Sequence, residues 1–207
     1  LAGREQVAPR PMKIWVVGRD GMLGSAVADA LSRHGLPFVG TTYPDVDFTR
    51  PDTISAFATR TQPTHIINCA AYTQVDQAER ETALAHTINA DGVHHMPEAP
   101  CAHNALLVHL SSDYVFDGAA SDGYSEDSPC APLSAYGKSK LAGEGALRAV
   151  FGGSFQARAA RAYLVRTCLL YGPGGMNFVR TMAGLLHKTG EVRVVADQTG
   201  RSSYAPD

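Results

Sequence analysis

One glycine-rich turn limits the fold of this chain more narrowly than any other segment. The turn, Gly18-Arg19-Asp20-Gly21-Met22-Leu23-Gly24, follows an apolar run at 12–17 and precedes an alanine-rich stretch at 25–31. A buried strand, a glycine turn and a helix, in that order, are the context of a dinucleotide-binding fingerprint. The glycines permit close backbone approach, and the helix N-terminus offers free N–H groups to a pyrophosphate. Because the spacing is G-x-x-G-x-x-G, a glycine turn without a ligand is the alternative interpretation.

The remaining sequence alternates between strand-like and helix-like segments. Strands are predicted at 13–17, 38–41, 64–68, 105–110, 162–166 and 192–195, and helices at 22–33, 53–61, 82–92, 136–150 and 178–187. Pro97 and Pro100 are expected to break the helix that begins at residue 82. Such alternation predicts an α/β fold with a parallel, doubly wound Rossmann sheet.

Composition excludes several classes of protein. The 207 residues, 44% of them hydrophobic, fit one large domain with a sizeable core. A net charge of −2, without a basic run longer than two residues, argues against nucleic-acid or anionic-membrane binding, and no stretch approaches the ~20 apolar residues of a membrane helix. The four scattered cysteines predict reduced thiols in the cytoplasm. The one cluster of candidate metal ligands is His94, His95, Cys101 and His103. Its spacing matches no zinc pattern, so no metal is predicted.

Tyr136 and Lys140 lie four residues apart within a predicted helix. Positions i and i+4 share a helix face, which places the ammonium beside the phenol. A nearby cation lowers the pKa of a tyrosine, and a tyrosine tuned in this way is a proton donor or acceptor near neutral pH. A solvated helix face is the alternative interpretation of the same spacing.

Two serines end an apolar strand in the run at 108–118, which continues as Ser111-Ser112-Asp113-Tyr114-Val115-Phe116-Asp117-Gly118. In open α/β sheets, ligands bind beyond the carboxyl ends of the strands. Ser112 is therefore predicted to lie at the crevice, on the same side as the glycine turn. The alternative is that both hydroxyls satisfy backbone groups of a loop.

In this order and spacing, the three motifs resemble the extended short-chain dehydrogenase/reductase superfamily and, more narrowly, the dTDP-4-dehydrorhamnose reductase family. The resemblance extends from residue 12 to the last residue, and its most specific parts are the run at 111–118 and the segment Asp197-Gln198-Thr199-Gly200. It implies that NAD(P)H reduces a nucleotide-linked 4-ketosugar. Tyr136 would protonate the alkoxide, Lys140 would lower the pKa of Tyr136 and hold the nicotinamide ribose, and Ser112 would orient the carbonyl.

The choice between the two nicotinamide cofactors depends on the end of the second strand, Gly40-Thr41-Thr42-Tyr43. An acidic residue there usually holds the ribose 2′-OH of NAD, and this chain has none. Its absence removes a charge that would repel a 2′-phosphate, and Arg19 adds attraction. NADPH is therefore predicted, with NADH left open and a solvated Arg19 as the alternative.

The motifs and the resemblance together predict a set of binding residues. Those for the cofactor are Gly18, Arg19, Gly21, Met22, Leu23, Gly24, Asp47, Phe48, Ala70, Ala71, Tyr72, Tyr136 and Lys140, and those for the substrate are Ser112, Asp113, Leu169 and Asn177. Asp47 could instead cap a helix, and the small residues could serve strand–helix packing. Leu169 stands where the family has a tryptophan near the sugar, so the ketosugar is expected to differ or to bind more loosely. Asn89 would face the active site or be a satisfied polar core residue.

Two other functions share this scaffold. One is a non-catalytic nucleotide-binding subunit like the regulatory β subunit of methionine adenosyltransferase, and the other is a sugar-nucleotide epimerase. A dehydratase is disfavoured because Asp113-Tyr114 stands where Asp-Glu is expected.

Residues 1–11 are interpreted as a disordered leader, an extended start or a vector-derived remnant, and 12–207 as a Rossmann domain that ends before the smaller substrate lobe is complete. A nucleotide sugar is the expected partner, and a homodimer is left open.

Overall fold

A five-stranded parallel sheet forms the centre of the protein. The computed structural model describes residues 11–98, 105–151 and 161–207. The strands are β1 (Ile14–Val17), β2 (Phe38–Thr41), β3 (His65–Asn68), β4 (Leu106–Ser112) and β5 (Ala162–Thr167). Their spatial order is β2-β1-β3-β4-β5, and all four pairings are parallel. The predicted doubly wound α/β fold is confirmed.

Helices connect the strands and cover the sheet. They are α1 (Met22–Arg33), α2 (Pro51–Thr61), α3 (Val75–Ala78), α4 (Thr82–His86), α5 (Gly92–Glu98), α6 (Ala135–Phe151) and α7 (Phe178–Thr189). The end of α1 illustrates how sequence sets a boundary: Gly35 adopts φ +65°, and the N–H of Leu36 donates to the Leu31 carbonyl oxygen at 2.9 Å. Glycine favours this left-handed conformation, so the helix ends there.

The main core lies between the sheet and helices α2, α5 and α6. Its large, fully buried members are Trp15, Ile54, Ile66, Met96, Leu107 and Leu147. Trp15 packs against Phe57 with ring centroids 4.8 Å apart, and its indole N–H donates to the Thr41 hydroxyl at 2.9 Å. The hydrogen bond satisfies the one polar atom of the indole, so the ring is buried without an unpaired donor. Among the described residues, no helix is both long and apolar enough to span a membrane.

The predicted helix at 82–92 is longer and less regular than expected. A π-helical turn at Thr87–Asp91 joins α4 to α5, and the helical path continues through Pro97 to Glu98. The predicted break before residue 98 is therefore wrong. Pro97 lies in the last turn, where a missing N–H removes a single intrahelical bond. Pro100, like Cys101 and His103, lies outside the described residues.

The predicted strand at 192–195 does not form. Val194 and Val195 are both exposed and lack a sheet partner among the described residues, so neither a ladder nor a buried face stabilises an extended segment. A different pair forms nearby, in which β6 (Leu170–Tyr171) runs parallel to β7 (Ser203–Tyr204). Strand β6 and the first residues of α7 line a cavity at the carboxyl end of the main sheet.

Candidate active site

A large cavity opens at the carboxyl ends of β1, β3 and β4. Its volume is about 1430 Å³. It lies where the connections from β1 and β3 leave the sheet in opposite directions, which is where open α/β sheets bind ligands. Most residues predicted from the sequence line it: Gly18, Gly21, Met22, Leu23, Asp47, Phe48, Ala70, Ala71, Ser112, Asp113, Tyr136, Lys140 and Leu169.

The glycine turn has no room for side chains. Gly18 adopts φ +74°, and a Cβ there would lie 2.9 Å from the Cα of Ala70. A Cβ on Gly24 would lie well under 3.0 Å from the Gly18 carbonyl oxygen. Helix α1 starts directly after Gly21, with neither a side-chain cap nor an acidic residue in its first turn. Its free N–H groups and positive dipole end therefore face the cavity, an arrangement that suits a phosphate.

Asp47 and Phe48, which follow β2, also line the cavity. The Asp47 carboxylate accepts hydrogen bonds from the Thr49 N–H at 2.9 Å and from the Thr49 hydroxyl at 2.7 Å. It therefore closes a turn of its own and does not cap α2, which has no side-chain cap. The Phe48 ring is buried against Gly92, where a Cβ would lie 2.5 Å from the Phe48 Cβ.

Ser112 and Tyr136 meet at the centre of the cavity. The Ser112 hydroxyl donates to the Asp113 carboxylate at 3.1 Å and accepts from the Tyr114 N–H at 3.2 Å. The Tyr136 ring packs edge-on against Tyr114 with centroids 5.4 Å apart. Burial raises the pKa of Tyr136, and its side-chain hydrogen bond with Ser112 opposes the rise without cancelling it.

Lys140 is buried beneath this pair, on the same helix. Its ammonium donates to the Leu110 carbonyl oxygen at 2.7 Å. Burial lowers the pKa of Lys140 from 10.5 to about 8, and the Glu144 carboxylate opposes that shift. The predicted lowering of the Tyr136 pKa is not borne out in this structure, because burial of the phenol raises that pKa more than the hydrogen bond with Ser112 lowers it.

Asn89, in the π-helical turn, is a satisfied polar core residue. Its side-chain oxygen accepts from the Tyr72 N–H at 2.9 Å, and its amide nitrogen donates to the Tyr72 carbonyl at 3.1 Å and to the Ser139 hydroxyl at 2.9 Å. The Asn89 side chain therefore ties the segment after β3 to α6. The oxygen and the nitrogen of the Asn89 amide both bind groups of the protein. This supports the interpretation of Asn89 as a satisfied polar core residue.

Four predicted binding residues do not line the cavity: Arg19, Gly24, Tyr72 and Asn177. Gly24 lies behind Gly18, and the Arg19 side chain extends across Gly40. The Tyr72 hydroxyl donates to Glu81 at 2.7 Å, away from the cofactor position that was predicted for it. The Asn177 side chain caps α7 by accepting from the Arg180 N–H at 3.1 Å and donates to the Gly172 carbonyl at 2.8 Å. Both polar groups of the Asn177 side chain thus have partners within the protein, and its substrate role stays a prediction.

His109 is fully buried in the middle of β4. The Asn68 amide nitrogen lies 3.0 Å from its Nδ1, and the Asn68 oxygen accepts from the Ala70 N–H at 3.0 Å. That orientation of the amide makes Nδ1 an acceptor and places the proton on Nε2, which has no partner among the described residues. Burial and the Lys140 charge hold the pKa of His109 well below 6.5.

Acid is therefore expected to destabilise the fold through His109. Above the unfolded pKa of about 6.5 both states are neutral at this residue; below it the unfolded chain binds a proton that the folded chain excludes. Lowering the pH from about 7.5 to about 5.5 should reduce the unfolding free energy by roughly 1 kcal/mol through this group. Urea unfolding of His109→Gln at both pH values should show an unfolding free energy that no longer falls by this amount. His34→Gln, at an exposed position, is the control, and an unchanged pH dependence in His109→Gln would contradict the assignment.

Comparison with known proteins identifies the family of the chain. A family model described as the RmlD substrate binding domain matches residues 12–207. The dTDP-4-dehydrorhamnose reductase of Streptomyces griseus is 38% identical over 202 residues, which cover 97% of this chain and 64% of that protein. The reductase of the same name from Mycolicibacterium smegmatis is 39% identical over 197 residues, 94% of this chain and 57% of that protein. The chain thus spans less than two thirds of the length of these curated relatives.

Solved structures agree with the sequence comparison. A dTDP-4-dehydrorhamnose reductase from Bacillus anthracis, in complex with NADP, superposes with a TM-score of 0.85 at 36% identity, over 95% of this chain and 67% of that one. A UDP-glucose 4-epimerase from Thermotoga maritima, at 19% identity and a TM-score of 0.78, shares the fold alone. The parallel sheet, the glycine turn and the match over 12–207 lead to one conclusion: this chain belongs to the RmlD family, the family of the dTDP-4-dehydrorhamnose reductases.

Proposed function

We propose that this chain uses NADPH to reduce the 4-keto group of a nucleotide-linked sugar, in the manner of a dTDP-4-dehydrorhamnose reductase. The observation that supports this most directly is the convergence of Ser112, Tyr136 and Lys140 on one cavity beside the glycine turn. A proton donor, a polar hydroxyl and a phosphate-binding helix end are the groups that a carbonyl reduction requires. The names of the relatives, and NADP in the Bacillus anthracis structure, support the same class of reaction.

The cofactor site fits a dinucleotide with a 2′-phosphate. The glycine turn leaves backbone open where a pyrophosphate would approach, and the free N-terminus of α1 faces it. A Cβ on Gly40 would lie 2.5 Å from the Arg19 Cδ, so the Arg19 stem can lie flat across β2 only because residue 40 is glycine. The Arg19 stem thereby lies beside the end of β2, where the Asp45 carboxylate accepts a hydrogen bond from the Thr42 N–H at 3.4 Å. NADPH, when bound, supplies the hydride.

The residues of this chain supply the proton and the orientation. Tyr136 carries its proton at neutral pH, as a phenol ordinarily does, and can donate it to the developing alkoxide. The O–H bond of the phenol breaks, and a new O–H bond forms at C4 of the sugar. Ser112 orients the carbonyl by hydrogen bonding, and the Lys140 ammonium stabilises the phenolate until it regains a proton from solvent.

A direct assay tests the proposal. NADPH binding is measured first by calorimetry, and NADPH oxidation is then followed with a dTDP-4-dehydro-6-deoxysugar as substrate. Binding together with turnover supports the reductase. Binding without turnover of any 4-ketosugar contradicts it and favours the non-catalytic nucleotide-binding subunit.

We place the reaction in the cytoplasm, where Cys69, Cys130 and Cys168, all free thiols here, would stay reduced.

NADPH is expected to bind more tightly than NADH, and Arg19→Ala should remove most of that preference. A hydrogen bond to a charged partner contributes about 1.5–3 kcal/mol, or roughly 10- to 100-fold in affinity. Titration of both cofactors against wild type and variant measures it. Arg33→Ala, at the far end of α1, is the control for loss of one positive charge. A wild-type preference for NADH, or an unchanged preference in Arg19→Ala, would refute this role of Arg19.

A further inference from the structure

A fully buried carboxylate links three elements of the active-site region. Glu144 lies on α6, one helical turn after Lys140, and has no solvent exposure. Its Oε1 accepts from the Ser111 hydroxyl at 2.6 Å and from the Arg166 Nε at 2.9 Å, and its Oε2 accepts from an Arg166 terminal nitrogen at 2.7 Å. We call Ser111, Glu144 and Arg166 the buried triad. It joins α6 to β4 and β5.

Arg166 extends the triad towards the loop that follows Ser112. Two of its nitrogens bind Glu144 in the paired geometry that gives arginine–carboxylate contacts their directional specificity. The guanidinium also lies 4.9 Å from the centroid of the Phe116 ring and donates to Cys130 Sγ at 3.3 Å. Phe116 directly follows the short 3-10 turn Asp113–Val115, which Ser112 caps by accepting from the Tyr114 N–H.

The triad contacts the strand that bears Ser112 and the helix that bears Tyr136. Helix α6 is joined to consecutive residues of β4, by Lys140 to the Leu110 carbonyl and by Glu144 to the Ser111 hydroxyl. Ser112 is the next residue of the strand. The distance between Ser112 and Tyr136 therefore depends on how far α6 is displaced along β4, and one residue of helix corresponds to about 1.5 Å.

We propose that the buried triad is a positioning device: it fixes the register of α6 on β4 and so aligns Tyr136 with Ser112. The proposal rests on the proposed reductase function for its kinetic part only. None of the three side chains is given a role as proton donor or ligand. They act through the groups that they hold, and a misalignment of about 1 Å is enough to reduce turnover about 10²-fold.

Charge balance determines which variants are informative. Burial would raise the pKa of Glu144, but the hydrogen bonds from Arg166 and Ser111 and the Arg166 charge lower it, so the carboxylate is ionised. Removing Glu144 or Arg166 alone leaves an uncompensated buried charge, which destabilises a fold whatever its function. Replacing both with apolar residues of similar volume is often tolerated. The double variant Glu144→Leu/Arg166→Met therefore separates positioning from stability.

The experiment compares wild type, the double variant, Arg166→Lys and Arg148→Ala. Arg166→Lys keeps the charge but loses the planar fork. Arg148→Ala removes a partly exposed cation that contacts the same carboxylate at 3.3 Å and serves as the control. Each protein is measured for melting temperature, for kcat and KM with NADPH and ketosugar, and for hydrogen exchange of peptides covering 113–115 and 135–140.

The double variant is expected to remain folded, with an unchanged KM for NADPH, a kcat about 10²-fold lower and faster exchange at 113–115 and 135–140. Arg166→Lys should lie between it and wild type, and Arg148→Ala should match wild type. A folded double variant with wild-type kcat, or a loss of kcat that only reflects an unfolded fraction, would overturn the proposal. If wild type binds NADPH but does not turn over, the reductase proposal fails. In that case hydrogen exchange alone tests the positioning proposal. Unchanged exchange at 135–140 in the double variant would refute it.

Discussion

Replacing Tyr136 with phenylalanine is expected to lower kcat by about 10²–10⁴-fold while NADPH affinity stays close to that of wild type. The change removes only the phenolic O–H, which is the proposed proton donor. The ring remains, and with it the edge-on packing against Tyr114 at 5.4 Å. Because the pKa of Tyr136 is raised by burial, the wild-type phenol is the protonated acid throughout the neutral range, and its loss cannot be offset by a change of pH.

Single-turnover measurements with saturating NADPH report this effect most directly, because they separate the chemical step from cofactor binding. Tyr163→Phe removes a hydroxyl from an exposed position on β5, outside the cavity lining, and is the matched control. Full activity in Tyr136→Phe would exclude Tyr136 as the acid. A parallel loss of NADPH affinity would instead indicate that the hydroxyl holds the cofactor.

Gly143→Ala is expected to destabilise the protein by about 1–3 kcal/mol or more, although alanine is the better helix former. Gly143 lies in α6 where the helix crosses the π-helical turn, and a Cβ there would lie well under 3.0 Å from the Asn89 carbonyl oxygen. That oxygen is backbone and cannot rotate away. The helix must move instead, and Tyr136 and Lys140 move with it, so kcat should fall as well.

The same helix offers a matched control two residues on. Gly145 is exposed, and nothing lies within 4 Å of the position a Cβ would take. Gly145→Ala should therefore stabilise the protein by roughly 0.5–1 kcal/mol, the ordinary gain for a glycine replaced within a helix. Urea unfolding of the two variants measures the difference. Equal stability of the two variants would show that α6 packs less closely against the π-helical turn than the structure shows.

The sequence predicted the fold well where local chemistry decides the structure. The bounds of α1 and β2 match residue for residue, because a glycine turn, an alanine-rich run and Gly35 define α1 without tertiary contacts. The predictions failed where contacts with other parts of the fold determine the structure. Val194 and Val195 favour a strand by residue type, yet the described residues give them no pairing partner. Pro97 was expected to end a helix that contacts with α2 and α6 keep intact.

The candidate site was predicted in position but not in electrostatics. The strand end, the four-residue spacing and the family resemblance together predicted that Ser112, Tyr136 and Lys140 lie at one crevice. Spacing does not report burial, so the direction of the Tyr136 pKa shift was wrong. The partners Glu144 and Arg166 are 22 residues apart and lie on different elements, and no local pattern pairs them. One hint was available, because Glu144 follows Lys140 by four residues and so shares its helix face.

The π-helical turn at Thr87–Asp91 makes this part of the chain sensitive to length rather than to residue type. Each helical residue advances the direction of a side chain by about 100°, so gaining or losing one residue ahead of Asn89 would rotate its amide away from both Tyr72 and Ser139. The overall hydrophobicity of the segment would hardly change, yet the link between β3 and α6 would be lost. Over evolutionary time, insertions and deletions should therefore accumulate in the exposed loop at 117–128 and be absent between Thr82 and Glu98.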